Sequence, residues 1–312
     1  MRAGVSTFYL TLSILLASTK LSFSWVVSTS GSSRTTTISR SSSSSALSMS
    51  SSDVPFAEII GAGRIGETLA KAGNCVILGR DDKIDPNRAG SPIFIATRND
   101  SLDGIVAACP SNRLQDLVFL QNGYLDDFLS SKGLMANTQV LLYLSVTAKG
   151  VGAVDGVTSV NPEGLTAATG IHAEAFAQRL AALNLKCNVV TPEDYRPAMF
   201  EKLMWISTYM LVGTAKGCGS VGQAGSDHGN VVKQVVSELV AAVSQKEGIA
   251  FPAGTMERLA AYTDVVSDFP CGVKEFEWRN EYFYKLGDAA VPTHNGLLQE
   301  CASKGLLGFE LP

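Results

Sequence analysis

The 312-residue chain contains no CxxC pair, and its three histidines, His172, His228 and His294, stand far apart. Ligand spacing for a structural metal is therefore missing, and no metal is expected. The six cysteines (Cys75, Cys109, Cys187, Cys218, Cys271, Cys301) are scattered singly. Without a disulfide framework they read as buried thiols in a reducing compartment. Positive charge is scarce too. The formal net charge is −4, and the four basic residues before Asp53 (Arg2, Lys20, Arg34, Arg40) have no acid among them. This leaves 21 basic against 29 acidic residues, net −8, in the rest of the chain. An acidic body has no electrostatic reason to hold a polyanion, so nucleic acid is excluded and a small-molecule ligand is expected. Charged residues make up only 17% and hydrophobic ones 46%, as in an α/β protein with much buried sheet and helix surface. The length suffices for two domains, each with its own core.

Residues 1–52 are set apart by their lack of acids. Arg2 precedes an apolar stretch from Val5 to Ala17 that includes Phe8, Leu10, Leu12, Ile14, Leu15 and Leu16. A positive start and a short apolar run match a secretory signal peptide and fall short of a membrane span. From Ser28 to Ser52, Ser and Thr dominate, with Arg34 and Arg40 between them, as in an organellar transit peptide. A signal peptide followed by a transit-like segment resembles the bipartite presequences of algae with secondary plastids. The plastid is the expected destination, with the secretory pathway and the mitochondrion as alternatives. The presequence is excluded from the fold, and no membrane association is expected of the mature chain.

At Phe56 the pattern changes. A short apolar strand (Phe56, Ile59, Ile60) leads into Gly61-Ala62-Gly63-Arg64-Ile65-Gly66. A helix pattern then runs from Ile65 to Ala72, stops at Gly73, and gives way to a second strand, Cys75–Leu78. In such a βαβ unit Gly61 permits the tight turn, Gly63 leaves room for a pyrophosphate, and Gly66 lets helix and strand pack closely. The residue after the second strand selects the dinucleotide, an acid binding the ribose hydroxyl of NAD and an arginine the 2′-phosphate of NADP. If the strand ends at Leu78, Arg80 is nearest that position and NADP(H) is favoured. A shift of one residue presents Asp81 and reverses the preference. Two further strands, Pro92–Thr97 and Leu117–Leu120, end in Arg98-Asn99-Asp100 and Gln121-Asn122-Gly123. Strand C-termini line the ligand crevice of a parallel sheet, so Arg98 and Asn122 are site candidates, although Asn-Gly is also an ordinary turn signal. A further strand is expected over Leu141–Val146.

An alanine-rich helix over His172–Leu183 and a strand over Cys187–Val190 complete this half. Beyond Pro197 helices are expected over Met199–Ala215, Asn230–Lys246, Thr255–Val266 and Val273–Leu286, with the glycine-rich stretch Gly213–Gly229 as a connection. The fold class is therefore α/β, with an N-terminal Rossmann-type dinucleotide-binding domain (residues 53–192) and an all-helical C-terminal domain (residues 193–312). The helical domain is expected to serve substrate binding and dimerisation, a homodimer being among the assemblies it allows, with the site in the cleft between the two. Lys202 has apolar neighbours at three and four positions: Ala198, Met199, Trp205 and Ile206. The residue pattern favours a lysine that snorkels to the edge. A buried one would have lowered basicity suited to proton delivery. Glu275 is placed to form an exposed i,i+4 pair with Arg279.

In their order and spacing these motifs resemble ketopantoate reductase (2-dehydropantoate 2-reductase) over roughly residues 56–306. The resemblance rests on Gly61–Gly66, on Asn122-Gly123 after a central strand, and on Phe200-Glu201-Lys202-Leu203 in a long helix. It also rests on Glu275 with Asn280, and on Ala289-Ala290-Val291-Pro292-Thr293. It implies that Lys202 is the general acid protonating a ketone as hydride arrives from NADPH. Glu275 would hydrogen-bond the substrate hydroxyl, and Asn122 would lie near nicotinamide and substrate. Arg98 falls where that family has a lysine near the cofactor. The family's asparagines four and eight residues after the lysine are replaced by Ile206 and Met210. Its substrate serine has no clear equivalent; Thr263, Asp264 and Ser267 lie nearby. The expected activity is NADPH-dependent reduction of a 2-oxo acid or related ketone, ketopantoate to pantoate being the family default. The alternatives are a hydroxy-acid dehydrogenase with a more apolar substrate, and a dinucleotide-binding pseudoenzyme or redox sensor without turnover.

Overall fold

Strands covered on both faces cannot alternate polar and apolar residues, and the short apolar runs of the first half become such strands. The computed structural model describes residues 54–312; the presequence lies outside the described residues. β1 (Ala57–Ile60) is followed by α1 (Arg64–Ala70) and β2 (Cys75–Leu78). β3 (Ile93–Ile95), α2 (Leu102–Ala108), β4 (Leu117–Phe119) and α3 (Asp126–Ser131) come next. Then follow β5 (Thr138–Leu141), β6 (Leu144–Ser145), β7 (Val154–Asp155), β8 (Ala167–Thr169), α4 (Ala173–Ala181) and β9 (Asn188–Val189). Every residue of β3 and β4 is buried. The sheet order is β2-β1-β3-β4-β5-β8-β9, parallel from β2 through β5, with β8 antiparallel to β5; β6 and β7 pair separately. From β1 the chain passes to β2 on one side, then to β3 on the other. That reversal opens a crevice at the C-terminal ends of β1 and β3.

The second half is helical: α5 (Pro192–Lys216), α6 (Val221–Asp227), α7 (Gly229–Glu247), α8 (Thr255–Val265), α9 (Asn280–Tyr284) and α10 (Pro292–Ser303). Thr191 caps α5 by accepting from the Asp194 N–H, and Gly217 ends it at φ +72°. Most of α5 is buried, because α6, α7 and α10 pack around it. Residues 54–312 all lie within one compact unit, which binds the sheet and the helices together. No described helix is long and apolar enough to cross a membrane, and no described group of His, Cys, Asp and Glu could hold a metal.

The α/β class and its Rossmann-type sheet match the expectation, while several elements differ. The fifth strand is Thr138–Leu141, not Leu141–Val146. Polar Thr138 and Gln139 belong to it because the buried Thr138 hydroxyl accepts from the His172 N–H, and past Leu141 the chain turns into β6. α5 starts seven residues before Met199, with Pro192 at its first turn and Pro197 accommodated inside it. A short helix, α6, occupies the glycine-rich connection. The helix expected over residues 273–286 is broken into a 3₁₀ turn, Phe276–Trp278, and α9. The cause is Glu275, whose φ of +51° no α-helix accepts. All six cysteines are free, but only Cys109 and Cys301 are fully buried.

Candidate functional site

β1 gives way to Gly61, whose N–H donates to the Leu78 carbonyl at 3.0 Å and whose φ is +106°. A Cβ there would stand 2.9 Å from the Ala96 carbonyl oxygen, so the turn from β1 into α1, pressed against the end of β3, admits only glycine. A Cβ at Gly66 would fall 1.8 Å from the Gly61 oxygen, and this missing side chain is what lets α1 close onto β1. Gly63 differs: its nearest neighbour would be 3.9 Å away, which leaves space above the loop. Arg64 and Ile65 line that space. The Arg64 guanidinium donates to the carbonyls of Val146 and Thr147, pinning the loop after β6 over the turn. Lys149 in the same loop donates to the Ala62 carbonyl at 2.6 Å and pairs with Glu67 at 2.7 Å.

Two cavities meet at this turn and share Gly61 and Thr97. On the β2 side, a cavity of about 570 Å³ is lined by Leu78, Gly79, Arg80, Asp82, Lys83 and by Gly104, Ile105 and Ala108 of α2, with Ala62 at its edge. Arg80 is exposed with no ion-pair partner among the described residues. Asp82 is committed to the Gly79 N–H at 2.8 Å, and Asp81 is not part of the wall. The strand ends at Leu78, the register that puts Arg80 at the cavity. Lys83 beside it was not singled out in the sequence.

On the β4 side, a cavity of about 510 Å³ runs from Gly61, Gly63 and Ile65 past Thr97, Arg98 and Asn99 to Gln121, Asn122, Leu142, Glu275 and Arg279. The crossover point of the sheet thus brings the fingerprint, the end of β4 and the segment before α9 to one wall. Gly123 makes the joint. Its φ is +120°, a Cβ would sit 2.2 Å from the Trp278 carbonyl oxygen, and the next N–H, of Tyr124, donates to that oxygen at 2.7 Å. Buried Asn99 donates to the Asn122 carbonyl at 3.1 Å. Gln121 donates to the Ile95 carbonyl at 2.8 Å, while its Oε1 is buried without a partner. Arg98 is three-quarters exposed and pairs with Asp100 at the rim. A third cavity, about 720 Å³, adjoins through Arg64, Ile65, Asn122 and Leu144, and is walled by Val146, Val154, Val265, Val266, Ser267 and Phe269.

Lys202 does not snorkel. It is 6% exposed, its ammonium donates to the Leu142 carbonyl, and it lies 4.7 Å from the centre of the Tyr143 ring. Burial lowers its pKa to about 7, helped by the nearby charge of Arg279. Leu142 lines the main cavity, so its carbonyl links the amine to that wall. Glu275 pairs with Arg279 as expected, but the pair is mostly buried in the cavity wall, 24% and 17% exposed. Burial lowers the Arg279 pKa, opposed by Glu275. Among described residues, the only positive-φ positions outside glycine are Asn74, Asn184 and Glu275. Asparagine tolerates that conformation; a glutamate in it stores strain of the kind found at functional sites.

Three expected substrate positions fall elsewhere. Ile206 and Met210 pack in the helical core and line none of the cavities described, because α5 carries them away from the crevice. Thr263 is 4% exposed, donates to the Leu259 carbonyl and accepts from Trp205 Nε1 at 2.8 Å, so its hydroxyl is spent in the core. Of the other two candidates, Ser267 lines the third cavity and Asp264 is exposed and lines none of the cavities described. Asn280 is buried and hydrogen-bonded to His294 at 3.1 Å. Gln121, Asn99 and Arg279 also line the β4-side cavity and were not singled out in the sequence as candidates. The first two directly neighbour Asn122 and Arg98, and that adjacency was the available signal.

No protein-family model matches the chain, and no curated protein matches it by sequence. Solved structures do. A PanE/ApbA family ketopantoate reductase from Ralstonia eutropha JMP134 is similar at 17% identity and TM-score 0.59, over 80% of this chain and 97% of that one. A 2-dehydropantoate 2-reductase from Methylococcus capsulatus is similar at 13% identity and TM-score 0.58, over 82% and 99%. A D-mandelate dehydrogenase solved with NADH and anilino(oxo)acetate is similar at 13% identity and TM-score 0.55, over 80% and 98%. The chain shares the ketopantoate-reductase fold.

Proposed function

We propose that the protein is an NADPH-dependent reductase of 2-oxo acids, with Lys202 as the proton donor to the ketone oxygen. The observation that carries this reading is the buried Lys202 amine, its pKa lowered to about 7, bonded to the carbonyl of Leu142, a residue that lines the cavity joining the glycine turn to Asn122 and Glu275. A donor whose pKa lies near ambient pH is well matched to general acid catalysis. The described residues fit a dinucleotide. Gly63 leaves space above the turn, and Gln121, whose buried Oε1 has no partner, stands in the β4-side wall. Arg80 and Lys83 offer cations at the β2-side end. These two cations support NADPH over NADH, since the nearby carboxylate of Asp82 is already bonded to the backbone. When bound, a reduced nicotinamide supplies the hydride.

The chain's own part is positioning and proton transfer. Lys202 releases a proton to the carbonyl oxygen as the carbon is reduced, giving a 2-hydroxy acid. Glu275, fixed in its left-handed backbone, accepts a hydrogen bond from a substrate hydroxyl. Asn122, held through Asn99 and the Gly123 joint, orients the reacting carbonyl from the opposite side. The third cavity, walled largely by valines and Phe269, favours a second reading in which the substrate carries a larger apolar group than ketopantoate does. The test is a panel of 2-oxo acids, ketopantoate and bulkier apolar ones included, with NADPH and protein starting near Ser52. NADPH oxidation with at least one acid supports the proposal, and the preferred size separates the two readings. Tight NADPH binding with no turnover on any acid overturns both.

For residues 1–52 we propose plastid delivery, on the signal-like and transit-like composition of the segment. A reporter fused to it should reach the plastid, and secretion of the reporter into the medium would contradict this.

A further inference from the structure

We propose that the Arg279 guanidinium anchors the substrate's carboxylate and so restricts the site to 2-oxo acids over neutral ketones; this rests on the reductase reading above. Four cations approach the β4-side cavity, and the geometry separates their tasks. Arg64 is exposed and spends Nη1 on two backbone carbonyls of the overlying loop. Arg98 sits at the rim, exposed and paired with Asp100. Lys202 lies behind Leu142, bonded to that residue's carbonyl. Arg279 combines burial, a place in the cavity wall and uncommitted donors. Its Nη2 is engaged by Glu275, its Nε is buried with no partner, and its Nη1 makes no hydrogen bond among the described residues.

A comparison inside the molecule shows that this arrangement is not a generic way to bury an arginine. Arg179 also has an unpartnered Nε, yet its two Nη groups donate to the carbonyls of Leu69, Gly73, Pro55 and Asn74, and none of the cavities described includes it. Arg179 is spent on backbone. Arg279 keeps donors in reserve in the wall of the cavity. A planar monoanion with two oxygens is the ligand whose shape matches a guanidinium fork. The carboxylate of a 2-oxo acid is adjacent to the reacting carbonyl, so anchoring it here places the ketone within the same wall as Asn122, Glu275 and the Leu142 carbonyl that holds Lys202.

Two measurements test this. The first compares a 2-oxo acid with its uncharged amide, using NADPH and the wild-type, Arg279→Lys and Arg279→Gln proteins. The expected wild-type preference for the acid is on the order of 10²-fold in kcat/KM, and Arg279→Gln should collapse that preference mainly through KM, with Arg279→Lys recovering part of it. The second is calorimetric binding of oxamate and of uncharged ethyl oxamate to the wild-type protein with NADP⁺ bound, which needs no variant. Oxamate should bind on the order of 10²-fold more tightly. Equal binding of the two by the wild type, or an Arg279→Gln protein that keeps the preference for the acid, overturns the assignment. Absence of turnover on every 2-oxo acid overturns the reductase reading instead, while the oxamate comparison still reports on Arg279.

Discussion

Charge is buried at both ends of the strands in the first half of the molecule, and the two ends treat it differently. At the N-terminal ends, Arg113 is fully buried and every donor group is used. Nε pairs with Asp116 at 2.6 Å and Nη1 with Glu58 at 2.8 Å; Nη1 also reaches the Asp85 carbonyl, and Nη2 donates to the Ser91 carbonyl at 2.9 Å. His172 closes on the other oxygen of Asp116 at 3.2 Å, and the second oxygen of Glu58 accepts from the Asp85 N–H. At the C-terminal ends the counterparts are incomplete. Lys202 has one carbonyl and an aromatic face, Arg279 has one carboxylate, and Gln121 lacks a donor for Oε1. A saturated network holds a fold together; on the function proposed above, unsaturated groups that also line or adjoin a cavity are the ones left to meet a ligand. On that reading structural charge lies at one end of the strands and functional charge at the other.

The largest expected break of this contrast is at the saturated end. Arg113→Leu leaves Glu58 and Asp116 buried without a cation, which should cost about 3–5 kcal/mol of stability. Urea unfolding measures this, and NADPH affinity of the folded fraction should stay near that of the wild type. Gly123→Ala attacks the joint between the two halves of the site. With φ +120° and the Trp278 oxygen 2.2 Å from the new Cβ, it should lower stability by about 1–3 kcal/mol and kcat/KM with it. A thermal scan beside steady-state kinetics checks both. Arg80→Ala should weaken NADPH binding by about 10- to 100-fold while leaving NADH nearly unaffected, as fluorescence titration would record. Unchanged NADPH affinity would remove Arg80 from the 2′-phosphate.

The last effect is a slope against pH. Lys202 is protonated in the unfolded chain up to its ordinary value of 10.5 and in the folded one only to about 7. Between those values the unfolded state binds the extra proton, so rising pH stabilises the fold there; below about 7 both states are protonated and the slope vanishes. Lys202→Met should remove that part of the slope, seen as a smaller gain in unfolding midpoint between pH 7 and 9. Reduction itself should fall as pH rises through about 7, because the donor loses its proton.

The fingerprint end of the site was legible in the sequence because it is local. Gly61, Gly63, Gly66 and Arg80 fall within twenty residues, and each carries a backbone or charge requirement readable without the rest of the chain. Lys202 was visible as an anomaly, but the apolar residues beside it could not say whether the helix was covered all round, so the pattern alone favours snorkelling. Burial on every side of α5 decides the matter, and that depends on helices arriving later in the chain. The Arg113 network was invisible for the same reason, joining residues 58, 113, 116 and 172. Arg279 was read as half of a surface pair because the run around it scanned as a helix. The left-handed turn at Glu275 breaks that helix and turns the pair into the cavity wall.

One variant tests the contrast most directly. In Lys202→Met a buried, half-satisfied amine is replaced by an apolar chain of similar length, and reductase activity and unfolding midpoint are measured on the same preparation at pH 7. The account predicts a loss of about 10²- to 10⁴-fold in kcat with the midpoint unchanged or raised. Activity within a few-fold of wild type would contradict the assignment of Lys202 as proton donor. A midpoint that falls as far as that of Arg113→Leu would contradict the division between structural and functional charge.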